Sequence, residues 1–341
     1  MTGSKIVDGT TLSMPDTPGN QQSRPQPSTQ KEGLGFPCLK LTGVFSLAGG
    51  GLEDYAAGTL HQHESVLFRR LWDHLEKGGV MLGDGGFCPY GALAGLSRRG
   101  IDSVLRLHPA RKTSFREGRR LGDDDRLVTW NKPQRTEAWS REEWEALPGS
   151  LSLRLIRLQV STPGFRTREV TLVTTLTDAK ACPADAIRAL YAQRWEVELH
   201  FHQIKILLGL DILRGKSPEL IGRETLMHLI AYNLIRLLMQ QAANTHEANL
   251  ARISFKGTLD TVRPFAAASH AARATPRRQE ALIDEMLTLI AGDCVPKRPG
   301  RSEPRAKKRR AKNDHFLTKP RPDMQVPPHR NRPRLPIQKA A

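Results

Sequence analysis

A chain of 341 residues with 38% hydrophobic content is long enough to bury one large core or two small ones, which excludes a protein disordered throughout. Its 52 Lys and Arg against 35 Asp and Glu give a net charge of +17, which favours polyanionic partners, nucleic acid first and an anionic membrane surface second. Cys38, Cys88, Cys182 and Cys294 are too far apart for a zinc motif or a disulfide framework, and the most apolar run, Leu226 to Met239, is interrupted by His228, Asn233 and Arg236 and is too short to span a bilayer. With Lys5 and Asp8 where a secretory leader would be apolar, the expectation is a cytoplasmic protein.

In chain order, Ser4-Lys-Ile-Val-Asp8 reads as a short strand that runs into Gly9-Thr-Thr-Leu-Ser. An acidic candidate so near the first residue suggests that an upstream part is missing. Residues 17–32, rich in Pro, Gln, Ser and Gly, read as a loop, and Cys38 to Leu47 as an extended run. Val66, Leu67, Leu71 and Leu75 recur at helical spacing between Glu64 and Glu76; Gly78-Gly79 ends that helix, and Val80-Met-Leu-Gly-Asp84 is a short buried strand. Tyr90 to Arg99 reads as a helix and Ser103 to Leu107 as the next strand, so residues 1–112 have the strand–helix–strand grammar of an α/β domain. Residues 113–180 read as a β-rich insertion: a polar stretch, then strand-like Leu151 to Ser161 and Glu169 to Leu176 about a Pro163-Gly164 turn. Residues 181–295 form a helical remainder, with one helix from Pro183 to Leu207, another from Pro218 to about Ala243, and a shorter one over Gln279 to Ala291. Residues 296–341 are expected to be a disordered basic tail: from 297 onward they hold 15 Lys and Arg and 3 Asp and Glu, most of the excess charge.

On the helix from Pro183, Tyr191, Arg194, Glu198 and Lys205 lie three, four and seven residues apart, within one stripe at ~100° per residue. Spacing alone favours a solvated face with an Arg194–Glu198 ion pair over a cleft lining. The motif as written, Tyr191-Ala-Gln-Arg194-Trp-Glu-Val-Glu198-Leu-His-Phe-His-Gln-Ile-Lys205, resembles the Y-x2-R-x3-E-x6-K signature of insertion-sequence 4 family transposases. Asp8-Gly-Thr-Thr-Leu-Ser resembles that family's first catalytic aspartate motif, and Gly83-Asp84-Gly-Gly-Phe87 its second, with Gly85 where other members often carry a larger residue. Leu210 to Leu238 and the basic tail are also similar, so the resemblance covers nearly the whole chain.

The resemblance implies an RNase H-like catalytic domain in which Asp8, Asp84 and Glu198 hold two Mg²⁺ or Mn²⁺ ions for DNA cleavage and strand transfer at insertion-sequence ends. It also implies that Tyr191, Arg194 and Lys205 bind DNA near the cut, Arg194 by a bidentate fork and Lys205 as a point charge. Double-stranded DNA, as terminal inverted repeats and as target, is the implied partner; a homodimer in the synaptic complex and a bacterial, nucleoid-associated location follow from the same likeness. Relatives use an aromatic of the β-rich block to hold a flipped base, and Trp130, Trp139 and Trp144 are candidates, with structural roles equally open. Asp16 is a weaker rival of Asp8, His200 and His202 are assigned to packing or DNA contact, and His61 and His63 to nothing. Two alternatives stay open on sequence alone: a truncated remnant that only binds DNA, and a related metal nuclease that cuts without joining.

Overall fold

Ile6 and Val7 are adjacent in sequence and both fully buried, yet they belong to different cores, because successive side chains of a strand point to opposite faces of its sheet. The same split recurs at Leu82 and Met81, Val104 and Leu105, Ile156 and Leu155, and Leu172 and Val173. A sheet covered on both faces needs such two-sided apolar strands. This arrangement is seen in a computed structural model that describes residues 3–31, 33–111, 113–160, 168–271, 275–296 and Asp323.

The chain begins with β1 (Ser4–Ser13), a short helix α1 (Pro18–Ser23), and the hairpin of β2 (Cys38–Ser46) and β3 (Leu52–Gly58). Next come α2 (Glu64–Arg69), β4 (Val80–Gly83), α3 (Tyr90–Arg98) and β5 (Asp102–Arg106). The segment expected as a β-rich insertion contributes β6 (Arg119–Gly122), β7 (Asp125–Asn131), a helical turn α4 (Arg141–Glu145), β8 (Ser150–Val160) and β9 (Arg168–Thr174). The rest is helical: α5 (Ala184–Ala192), α6 (Glu196–His202), α7 (Pro218–Thr245), α8 (Phe255–Ala271) and α9 (Pro276–Gly292).

Among the described residues the strands make one nine-stranded sheet in the order β3-β2-β1-β4-β5-β9-β8-β7-β6. β4 and β5 run parallel to β1, while β2 and β9 are antiparallel to their neighbours, so the mixed α/β sheet is parallel only at its centre. β9 bonds directly to β5 through Val104 opposite Thr174 and Arg106 opposite Leu172; the later strands therefore extend the first sheet instead of building a separate one. One face is covered by the helices from α5 onward, through Ile187, Val197, Phe201, Tyr232 and Met286, and the other by α2 and α3, through Leu67, Phe68, Leu93 and Leu96.

Several elements differ from expectation for local reasons. The composition of residues 17–32 suggests a loop, but Thr17 caps α1 by accepting from the Asn20 N–H and Pro18 opens it, a start signal that outweighs the turn-rich context. α2 stops at Arg69, and a 3-10 turn over Trp72–His74 replaces its expected continuation. β3 was not anticipated; it is an edge strand whose first residue is fixed from α7, where the Asn233 amide accepts from the Leu52 N–H and donates to its carbonyl, 2.8 Å each. The intervening turn is held by Tyr232, whose hydroxyl donates to Gly50 O at 2.5 Å, and Gly50 adopts φ +67°, where a side chain would be strained and would meet Arg236. The Pro163-Gly164 turn and the basic tail lie outside the described residues, apart from Asp323.

Candidate active site

In the parallel pair β1 and β4, Ser4 stands opposite Val80, Lys5 opposite Met81 and Ile6 opposite Leu82. Two residues further along each chain come Asp8 and Asp84. Asp84 keeps an extended backbone (φ −83°, ψ −173°) as it caps a 3-10 turn over Gly85–Phe87, so the strand alternation carries through it. The register thus sets the two carboxylates side by side on neighbouring chains ~5 Å apart, on the face that also bears Ile6 and Leu82. Asp8 is not at the end of its own strand, as the sequence suggested: β1 continues to Ser13 because β2 goes on pairing with it, Asp8 facing Gly43. It lies beyond the end of β4, which leaves that side open.

Both aspartates are fixed by the backbone that follows. The Gly9 N–H donates to Asp8 Oδ1 and the Gly86 N–H to Asp84 Oδ1, each at 2.8 Å. Burial raises the pKa of Asp8 to about 6, with Asp84 and Glu64 adding to the rise, while the Gly9 N–H and Arg194 oppose it. Desolvation and like-charge crowding make this carboxyl costly to ionise.

The segment expected as one helix from Pro183 to Leu207 keeps helical dihedrals but changes winding. α5 tightens into a 3-10 turn over Gln193–Trp195, α6 follows, and Gln203–Leu207 is a π turn. The wider π turn keeps Ile204 fully buried while Lys205 turns toward β1, donating from Nζ to Thr10 Oγ1 and to Thr11 O at 3.0 Å each. Arg194 lies between two carboxylates, with Nη1 3.6 Å from Asp8 Oδ2 and Nη2 3.6 Å from Glu198 Oε1. Its guanidinium also stands 5.9 Å from the ring centre of Tyr191. Burial pushes the Tyr191 hydroxyl up to about 12 and the Lys205 ammonium down.

The structure therefore gathers Asp8, Asp84, Arg194 and Tyr191, anchors Lys205 on the strand that carries Asp8, and connects Glu198 to Asp8 through Arg194. Glu198 itself remains half-exposed, and among the described residues no group of three or more acidic, Cys or His side chains stands ready to chelate one ion. The available donors, carboxylate oxygens without Cys or His, suit a hard divalent cation. Asp16, the rival first carboxylate, accepts from Gln21 Nε2 at 2.8 Å on the segment of α1.

Trp130 and Trp144 are buried in the core, and Trp139 is packed against Trp72, Trp144 and Arg69, which leaves none of the three as an open stacking face. Among the described residues the most exposed tryptophan is Trp195, 58% accessible and next to Arg194; it lies inside the motif, and only the three-dimensional winding shows that it faces outward. His200 is stacked on Phe45 with ring centres 5.3 Å apart, and burial lowers its pKa to about 4, so it packs as a neutral ring. His63 caps α2 by accepting from the Ser65 N–H. Glu64, beside the two aspartates, carries no motif signal.

Comparison with known proteins places this chain in a family. Residues 5–234 match the family model described as transposase DDE domain. The chain is 30% identical over 239 residues to the transposase InsG for insertion sequence element IS4 of Escherichia coli strain K12, across 70% of this chain and 52% of that protein. It is 33% identical over 88 residues, 26% of this chain and 22% of the relative, to a probable transposase for insertion sequence element IS5377 of Geobacillus stearothermophilus. The chain thus spans about half the length of the first of these curated relatives and less of the second. Among solved structures, a piggyBac transposase synaptic complex with hairpin DNA aligns with 88% of this chain and 59% of its own, at 10% identity and a TM-score of 0.47. With two thirds of its length matched by the model, the chain belongs to the transposase DDE domain family.

Proposed function

We propose that this chain cleaves DNA and transfers strands at insertion-sequence ends, with Asp8, Asp84 and Glu198 as the carboxylates that hold two Mg²⁺ or Mn²⁺ ions in an RNase H-like site. The observation that carries this reading is the register of β1 and β4, which makes neighbours of two aspartates 76 positions apart beneath the helix that bears Glu198. The central parallel strands of the mixed sheet support the RNase H-like assignment.

Divalent cations, when bound, supply an activated water or 3′-hydroxyl and stabilise the leaving oxygen of an in-line displacement. The protein's own groups supply position and charge. Asp8 and Asp84 are oriented by the Gly9 and Gly86 N–H groups, so little reorganisation is needed to present their free oxygens. Arg194 stands 3.6 Å from both Asp8 and Glu198 and balances their charge; with those carboxylates holding divalent cations, its fork would be free to bind a phosphate. Lys205 offers a second phosphate contact, and the buried Tyr191 supports the guanidinium from the side. Double-stranded DNA is the partner, a homodimer the working form and the bacterial nucleoid the setting.

The test is a cleavage and joining assay with supercoiled plasmid and the element's own ends, in Mg²⁺, Mn²⁺ or EDTA. Metal-dependent cutting with joined products, lost in Asp8→Asn, Asp84→Asn and Glu198→Gln, is the expected result. Cutting without joining would turn the reading to a nuclease, and binding without cutting to a DNA-binding remnant.

A further inference from the structure

The two aspartates have another acidic neighbour, which approaches from the opposite side of the sheet. α6 lies on the face that carries Ile6 and Leu82, whereas α2 packs through Leu67 and Phe68 on the face that carries Val7 and Met81. Glu64 opens α2, and its start is fixed by the His63 cap. Because strand side chains alternate, Gly9 turns its bare α-carbon toward α2, and the Glu64 carboxylate fills that space: a Cβ on Gly9 would stand 2.6 Å from Glu64 Oε1. A Cβ on Gly86 would stand 3.1 Å from Asp84 Oδ1 and 3.9 Å from Glu64 Oε2, which puts both carboxylates around one point. Glu198 has Arg194 as a partner, but the half-buried Glu64 carboxylate has no hydrogen bond or ion pair among the described residues. An uncompensated carboxylate beside Asp84, whose charge also reaches Asp8, raises the electrostatic cost of the cluster, and a cation seated there would lower it.

On the reading that Asp8 and Asp84 are cation ligands, we propose that Glu64 is a fourth carboxylate of this metal site, accepting hydrogen bonds from water on the cation and strengthening the site's hold on it. Mg²⁺ and Mn²⁺ on few protein ligands retain several waters, and carboxylates that orient such waters contribute to affinity without direct ligation. Gly9 is part of this arrangement, since any side chain there would push the Glu64 carboxylate away.

The experiment is Mn²⁺ binding to the full chain, read from the electron paramagnetic resonance signal of free Mn²⁺, with near-ultraviolet circular dichroism as the check on folding. Glu64→Gln is expected to weaken binding about 10- to 100-fold, as loss of an outer carboxylate partner does. Gly9→Ala should weaken binding in the same direction while keeping every charge. It should add nothing in a Glu64→Ala background, where the displaced group is gone. If Asp84→Asn weakens binding and both Glu64→Gln and Gly9→Ala bind like the parent, the role of Glu64 is overturned and the aspartate site stands. If Asp84→Asn also binds like the parent, the aspartate reading falls, and this proposal with it.

Discussion

Asp8→Asn should stabilise the metal-free protein at neutral pH, because the site holds a carboxylate that the fold disfavours. Asp8 is 20% exposed and its pKa is raised from 3.8 to about 6, chiefly by burial. At about 1.4 kcal/mol per pKa unit, ionising it in the native state costs on the order of 3 kcal/mol more than in the unfolded chain. Between pH 4 and 6 the native state binds more protons than the unfolded state at this residue, so stability falls as pH rises through that window; the penalty is absent below about 4 and complete above about 6. Asparagine removes the penalty and keeps an oxygen for the Gly9 N–H; the attraction to Arg194 at 3.6 Å that it forgoes is already contained in the net shift. The net expectation is a gain of roughly 1–3 kcal/mol at pH 7.5 in EDTA that vanishes near pH 4, measured by urea unfolding of both proteins at both pH values. A variant no more stable than the parent at pH 7.5, or one whose gain persists unchanged at pH 4, would refute the account of Asp8.

Other expectations follow from single contacts. Arg154 is 1% exposed and makes a bidentate pair with Asp125, besides donating to Cys182 O at 2.6 Å; Arg154→Ala should cost about 3–5 kcal/mol in urea unfolding by leaving Asp125 buried and unpaired. Lys205→Met removes both bonds to β1 and should reduce DNA affinity and its dependence on salt, read by fluorescence anisotropy between 50 and 200 mM salt. Trp195→Ala, at an exposed position, should leave stability within about 0.5 kcal/mol of the parent, and a larger loss would show that its ring is covered in solution.

The motif residues were legible because their chemistry is written locally. Asp8 and Asp84 each follow a short apolar run, and Tyr191, Arg194, Glu198 and Lys205 share helical spacing, so two strands and a helix face could be assigned before any fold was known, although β1 runs on past Asp8 to Ser13. Their meeting is a tertiary fact, set by the parallel register of β1 and β4 and by a π turn that no periodicity announces. Glu64 was invisible for the same reason: its neighbours Gly9 and Gly86 are distant in sequence, and a glutamate opening a helix ordinarily only favours the helix dipole. β3 and β6 were missed because Glu53, Asp54, Arg119 and Arg120 make them too charged to read as strands, a composition that suits the edges they occupy. Arg154 carries no sequence signal of its buried role, which depends on Asp125 of the neighbouring strand β7.

The most direct test of the central claim is anomalous diffraction from crystals of the chain with Mn²⁺ and a DNA end. The account predicts two Mn²⁺ peaks ~3.5–4 Å apart, one shared by Asp8 and Asp84 and the other reached by Glu198 once Arg194 has moved to a phosphate. Ordered DNA with Mn²⁺ bound elsewhere, and the Asp8–Arg194–Glu198 contacts intact, would contradict it.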